Sequence, residues 1–239
     1  MKASPGARSW IAAGVRHELL TRALPALRHD MAAPVSVMRM GLLMLRRQLG
    51  AATIDPAVCE ERVALIDHQI AELVAAVRSL RDWELAVEDD GISRAALVAQ
   101  CLNLMRAAFD FQGVRLTCDE AFERAPETGA TEPATAPNAV APTIWPSGAS
   151  LRYLLLGALG YLHDNAPQVV GIDISADGDD GLWVRATSGA TDTTPSDTGA
   201  HRAPRALAID AIALQSLADD LGYALTIERD AVRLPLAAG

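Results

Sequence analysis

Apolar residues recur at Leu20, Leu24, Leu27, Met31, Val35, Met38, Leu42, Leu45 and Leu49, in alternating steps of three and four. That spacing keeps one stripe on one side of a helix and predicts a single long helix over 9–49. Pro34 falls inside it, where a proline deletes a backbone hydrogen bond and bends the axis unless packing compensates. Gly50 to Pro56 breaks the pattern, which resumes at Val63, Ile66, Ile70, Leu73, Val77 and Leu80 as a second long helix. So short a connection makes the two helices antiparallel neighbours. One hairpin cannot cover two apolar seams of this length, so the pattern predicts a homodimer that closes a four-helix bundle.

Past a polar break at Glu88–Gly91 the pattern alternates between helix and strand signals, which sets a domain boundary between 1–88 and 89–239. The second domain is predicted to run as a helix over 93–111, a strand at 114–118 and a helix over 147–165. Strands near 169–175 and 182–186, a helix over 205–221 and a hairpin at 223–236 complete it. The stretches 125–142 and 188–204, rich in Ala, Thr, Ser, Gly and Pro, are expected to be mobile loops. The fold class is therefore α+β: a long antiparallel helical hairpin, then an α/β sandwich.

Composition sharpens this picture in three places. Half the residues are apolar but only 4% are aromatic, which favours helix-rich packing. A net charge of -9 without basic runs speaks against nucleic acid or an anionic membrane as a partner. The longest apolar run, Leu151–Leu162, contains Arg152 and is too short to span a bilayer, and Met1–Ala12 lacks the layout of a signal peptide, so a cytoplasmic protein is expected. Cys59, Cys101 and Cys118 are too scattered for a disulfide framework or a zinc site and are expected to be buried small hydrophobes.

The chemistry concentrates in Arg28-His29-Asp30-Met31-Ala32-Ala33-Pro34-Val35. If Leu27 and Met31 face the seam, His29 faces solvent, where an imidazole can reach a partner. A neighbouring carboxylate such as Asp30 can fix the tautomer that leaves the other ring nitrogen free to attack phosphorus. Alone, such a histidine is an ordinary surface residue; the acid after it and the proline five residues on give it a pattern. His68 has no such acid or proline after it, and His17, His163 and His201 carry no pattern.

This His-Asp pair with Pro34-Val35 and Gly41-Leu42 resembles the phosphoacceptor box of histidine kinases. The order of elements over roughly 15–236 resembles that family's dimerisation and ATP-binding domains. Among its relatives the box is most similar to histidine phosphotransferases of the ChpT type, kinase-like dimers that no longer use ATP. A sporulation phosphotransferase shares the architecture. The resemblance implies metal-binding positions at Tyr161 and Asn165, an adenine-reading Asp where Thr187 stands, and phosphate-cradling glycines at Ala203-Pro204-Arg205-Ala206-Leu207. Only Asn165 matches, and a helix C-cap before Pro167 explains it as well, so the second domain is expected to be a degenerate ATPase-like one. Family members that hydrolyse phosphate carry Thr or Asn where this chain has Ala33, so hydrolysis is not expected either.

The implied function is a phosphorelay histidine phosphotransferase, with His29 as nucleophile and Asp30 orienting it. Arg28 and Arg39 would neutralise the moving charge. Response-regulator receiver domains are the expected partners and bring the magnesium, so this chain needs no cofactor. Ala32, Ala33, Ser36, Met40 and Leu43 would form the docking surface, although Met40 and Leu43 also suit the interior of the dimer. The alternatives are a divergent ATP-dependent histidine kinase and a noncatalytic dimeric scaffold that grips a response regulator.

Overall fold

The computed structural model describes residues 5–80, 91–123, 143–189 and 207–238. The fold is α+β, with a long N-terminal helix and a mixed sheet. Contacts divide the chain into two compact units, Ala23–Ala86 and the combination of Met1–Arg22 with Val87–Gly239.

Helix α1 (Pro5–Leu49) runs for 45 residues through Pro25 and Pro34. Each proline lacks an N–H, so the carbonyls of Thr21 and Asp30 cannot receive the helical bond from four residues on. Helix α2 (Pro56–Ser79) starts where the Asp55 side chain accepts a hydrogen bond from the Ala57 N–H at 3.0 Å, with Pro56 in its first turn. In the Ala23–Ala86 unit the helices approach closely at Gly41, where an added Cβ would lie 3.2 Å from Ile66 Cγ1. Pro34 and Gly41 are buried. The apolar stripe stays open: Val35, Leu42 and Leu49 on α1 and Val63, Ile70 and Val77 on α2 are 41% to 55% exposed.

The other unit contains β1 (Ile92–Ser93), α3 (Arg94–Phe111), β2 (Arg115–Cys118), α4 (Glu120–Glu123), β3 (Ile144–Trp145) and α5 (Gly148–Asn165). It continues with β4 (Val169–Asp177), β5 (Gly181–Ser188), α6 (Ala211–Leu221), β6 (Thr226–Ile227) and β7 (Ala231–Pro235). The main sheet has the order β2-β4-β5-β7-β6, with β2 parallel to β4 and every other pair antiparallel. Period-2 alternation sends Ile172, Ile174, Leu182, Val184, Val232 and Leu234 into the core. On the opposite face, Arg185 and Arg233 lie over the Trp183 ring at 4.4 and 4.7 Å.

Helix α5 is buried along nearly its whole length and packs on β4, β5 and β7 and against α3 and α6. Its glycines make room. A Cβ at Gly157 would lie 3.1 Å from Leu214 and Leu217 of α6, and one at Gly160 would lie 2.8 Å from Ile209 and 3.5 Å from Leu19 of α1. Ala12, Val15 and Leu19 form a buried stripe at helical spacing in this unit.

Several expectations need correction. α6 begins at Ala211 rather than near 205, because Asp210 caps it by accepting a hydrogen bond from the Ala213 N–H at 2.8 Å. The two-residue strands β1 and β3 and the single turn α4 are too short to give a periodic signal. Of the cysteines only Cys101 is buried; Cys59 and Cys118 are half-buried. The predicted loop 125–142 and most of 188–204 lie outside the described residues, as do 81–90 with the polar break at Glu88–Asp90.

Candidate functional site

The Ala23–Ala86 unit holds an open cleft of about 560 Å³ between α1 and α2. His29 and Asp30 stand on its α1 wall with Ala33, Pro34 and Val37 following at helical spacing. His68, Gln69 and Glu72 form the α2 wall with Ala75 and Ala76. The small residues keep the cleft wide around the two imidazoles.

His29 is 80% exposed, and its Nδ1 lies 3.5 Å from Asp30 Oδ1. At that distance the carboxylate acts on the ring mainly through its charge, and a small rotation of either exposed side chain makes a hydrogen bond. Across the cleft, His68 Nε2 lies 4.0 Å from Glu72 Oε1, one helical turn on. Both imidazoles have a carboxylate beside them and both are open to solvent.

The chain has a second His-Asp pair, and its surroundings are the opposite. His163 Nδ1 lies 3.0 Å from Asp164 Oδ1, with side chains only 2% and 1% exposed. The His163 ring also meets the Phe109 ring edge-on at a centroid distance of 5.0 Å. Asp164 receives hydrogen bonds from Arg22 at 2.7 and 3.2 Å and from the Ile209 N–H at 2.9 Å. Arg22 also donates to Glu18 at 2.9 Å and to the Leu207 carbonyl at 2.9 Å. Burial pushes the Asp164 carboxyl up, but the bonds from His163, Arg22 and Ile209 and the Arg22 charge outweigh it and hold it down at about 2. Burial likewise works against the charge on Arg22, and its carboxylate partners more than offset this, so its pKa is raised. This buried network holds the unit together; no partner can reach its histidine.

Of the residues marked out by sequence, the cleft gathers His29, Asp30 and Ala33. Arg28, Ala32, Ser36, Arg39, Met40 and Leu43 do not line it, and all are exposed. Sequence reasoning passed over His68 and Glu72; their four-residue spacing was the available signal. At the positions compared with a nucleotide site, Tyr161 donates its hydroxyl to the Glu228 carbonyl at 2.9 Å. Asn165 Nδ2 donates to the carbonyls of Tyr161 and Ile209 at 2.8 and 2.7 Å. Asn165 is the last residue of α5 and Ala166 the cap, so Asn165 acts as a clasp between α5 and the segment before α6 rather than as the cap itself. Thr187 is exposed on β5, while 203–206 lie outside the described residues.

No protein-family model matches the chain, and no curated protein matches it. Among solved structures it is similar to the histidine kinase AdeS of Acinetobacter baumannii, at 12% identity and a TM-score of 0.35, over 87% of this chain and 98% of that one. A likeness that loose leaves function to be argued from the residues themselves.

No group of His, Cys, Asp and Glu suited to a metal ion occurs among the described residues. Nor is any helix among them long and apolar enough to cross a membrane. The cleft offers two exposed imidazoles, His29 and His68, each beside a carboxylate, and a neutral imidazole nitrogen is a nucleophile.

Proposed function

We propose that this chain is a cytoplasmic phosphorelay histidine phosphotransferase, which accepts a phosphoryl group on His29 from an aspartyl-phosphate of one response-regulator receiver and passes it to another. The observation that carries this reading is the contrast between two His-Asp pairs. His29-Asp30 opens on a cleft that can admit a partner's loop, whereas His163-Asp164 is sealed in the core. The resemblance of the segment from His29 to Leu42 to the phosphoacceptor box of histidine kinases supports it.

In the forward step the Nε2 lone pair of His29 attacks phosphorus while the bond from phosphorus to the donor aspartate oxygen breaks and the carboxylate leaves with its electron pair. Asp30, beside Nδ1, favours the tautomer with the proton there and steadies the positive charge that grows on the ring. Donation to the second receiver reverses these events, and magnesium comes with the receiver. Ala33 in the cleft offers no group to orient a hydrolytic water. The open stripe of Val35, Leu42, Leu49, Val63, Ile70 and Val77 is the surface through which two copies would close a four-helix bundle.

The test is incubation with receivers carrying labelled aspartyl-phosphate, followed by mapping of label on this chain. Transfer to the native protein and none to His29→Gln is expected. Label retained by His29→Gln, or no transfer from any receiver of the source organism, overturns the proposal. If His29→Gln still blocks a receiver by binding it, the scaffold reading replaces it.

A further inference from the structure

Each wall of the cleft carries one imidazole and one carboxylate, His29 with Asp30 and His68 with Glu72. A phosphoryl group on His29 brings close to two negative charges into a cleft that already holds the carboxylates of Asp30 and Glu72. Among the described residues no lysine or arginine lines it. The side chain on the facing wall able to carry positive charge is His68. Glu72 Oε1 lies 4.0 Å from His68 Nε2, beyond hydrogen-bond reach, so the ring N–H of His68 is not committed to it. At 67% exposure the His68 side chain is free to swing toward a newly arrived anion.

We infer that His68 binds the transferring phosphoryl group, its imidazolium donating a hydrogen bond to a phosphoryl oxygen while phosphorus arrives on and departs from His29. This rests on His29 being the carrier. His68 gains and loses no atoms in the step: the P–N bond to His29 forms, the bond from phosphorus to the donor breaks, and His68 offsets charge that Asp30 and Glu72 would otherwise repel. The groups facing it are His29 and Asp30 from α1 and Glu72 from its own helix.

Phosphoramidate tests this without a receiver. Its phosphoryl group passes to imidazole nitrogen as the P–N bond to ammonia breaks, and the leaving nitrogen takes a proton from water. Phosphohistidine formation would be followed by phosphorus NMR and assigned by peptide mass for the native chain, His29→Gln, His68→Gln and His68→Lys. Label is expected on His29, with His68→Gln about tenfold slower, the size of one charge-assisted hydrogen bond to the transition state. His68→Lys, which keeps a cationic donor at this position, restores most of the rate. Unchanged melting temperatures exclude a folding defect, since both substitutions are on an exposed side chain. A native rate in His68→Gln, or a His68→Lys rate as low as that of His68→Gln, overturns this inference and leaves His29 as the carrier. Absence of label on His29 in the native chain, or label on His68 instead, overturns the inference and the carrier reading together.

Discussion

Replacing Arg22 by methionine keeps most of the aliphatic stem and removes the charge. The substitution deletes the bonds of 2.7 and 3.2 Å to Asp164, that of 2.9 Å to Glu18 and that of 2.9 Å to the Leu207 carbonyl. It leaves two carboxylates with side chains 1% and 4% exposed and no counter-charge from Arg22. Breaking a buried pair from one side costs about 3 to 5 kcal/mol. The titration of Asp164 gives an independent scale: the drop from 3.8 to about 2 corresponds to about 2 kcal/mol favouring its charged form in the folded state. Arg22 supplies part of that; the rest of the loss comes from Glu18 and from the unopposed burial of Asp164. Because the folded value lies below the unfolded one, the native contribution is full above about pH 4 and fades as pH falls toward 2. Asp164 of the variant takes up its proton at higher pH, so the gap between native and variant narrows in acid. Urea unfolding followed by tryptophan fluorescence at pH 7 and pH 3 reads both effects. A loss under about 1 kcal/mol at pH 7, or the same loss at both pH values, would refute this account of the network.

Leu45→Glu would bury a charge in the proposed bundle seam, and sedimentation should then show a dimer for the native chain and a monomer for the variant; a folded native monomer refutes the bundle. Met40 is 55% exposed in the hairpin, so Met40→Ala should weaken receiver binding and leave the melting temperature unchanged; a lower melting temperature with unaltered affinity places Met40 in the dimer. Calorimetry with millimolar ATP should register no binding, because Tyr161 and Asn165 are tied to backbone carbonyls; micromolar affinity would bring back the ATP-dependent kinase.

The long elements were legible because their signals are local. Stripes at three- and four-residue steps give α1 and α2, and in the structure Asp55 and Ser93 cap the starts of α2 and α3. The start of α6 was misplaced because the apolar run from Ala206 to Ile209 resembles helix until Asp210 is taken as its cap. β1 and β3 exist only by pairing Ile92 with Trp145 across the sequence, which no window contains. The site divides the same way. His29 carries its pattern in its neighbours Asp30 and Pro34, whereas His68 acquires meaning from lying across the cleft. Glu18 and Arg22 show a four-residue spacing, but the other partner of Arg22, Asp164, lies 142 positions away.

The way Met1–Arg22 joins Val87–Gly239 sets a schedule for biosynthesis. A ribosome releases the chain from its N-terminus, so the stripe of Ala12, Val15 and Leu19 emerges long before Ile209, α5 and α6 exist to receive it. Arg8 and Arg16 wait for Asp219 and Asp220, 211 and 204 positions later. The hairpin between is local and can form while translation continues, but the discontinuous unit cannot close until almost the last strand is made. During that interval the nascent chain presents an amphipathic helix with no partner, the kind of segment that holdase chaperones bind, and refolding from denaturant should end in a slow phase when these distant ends meet.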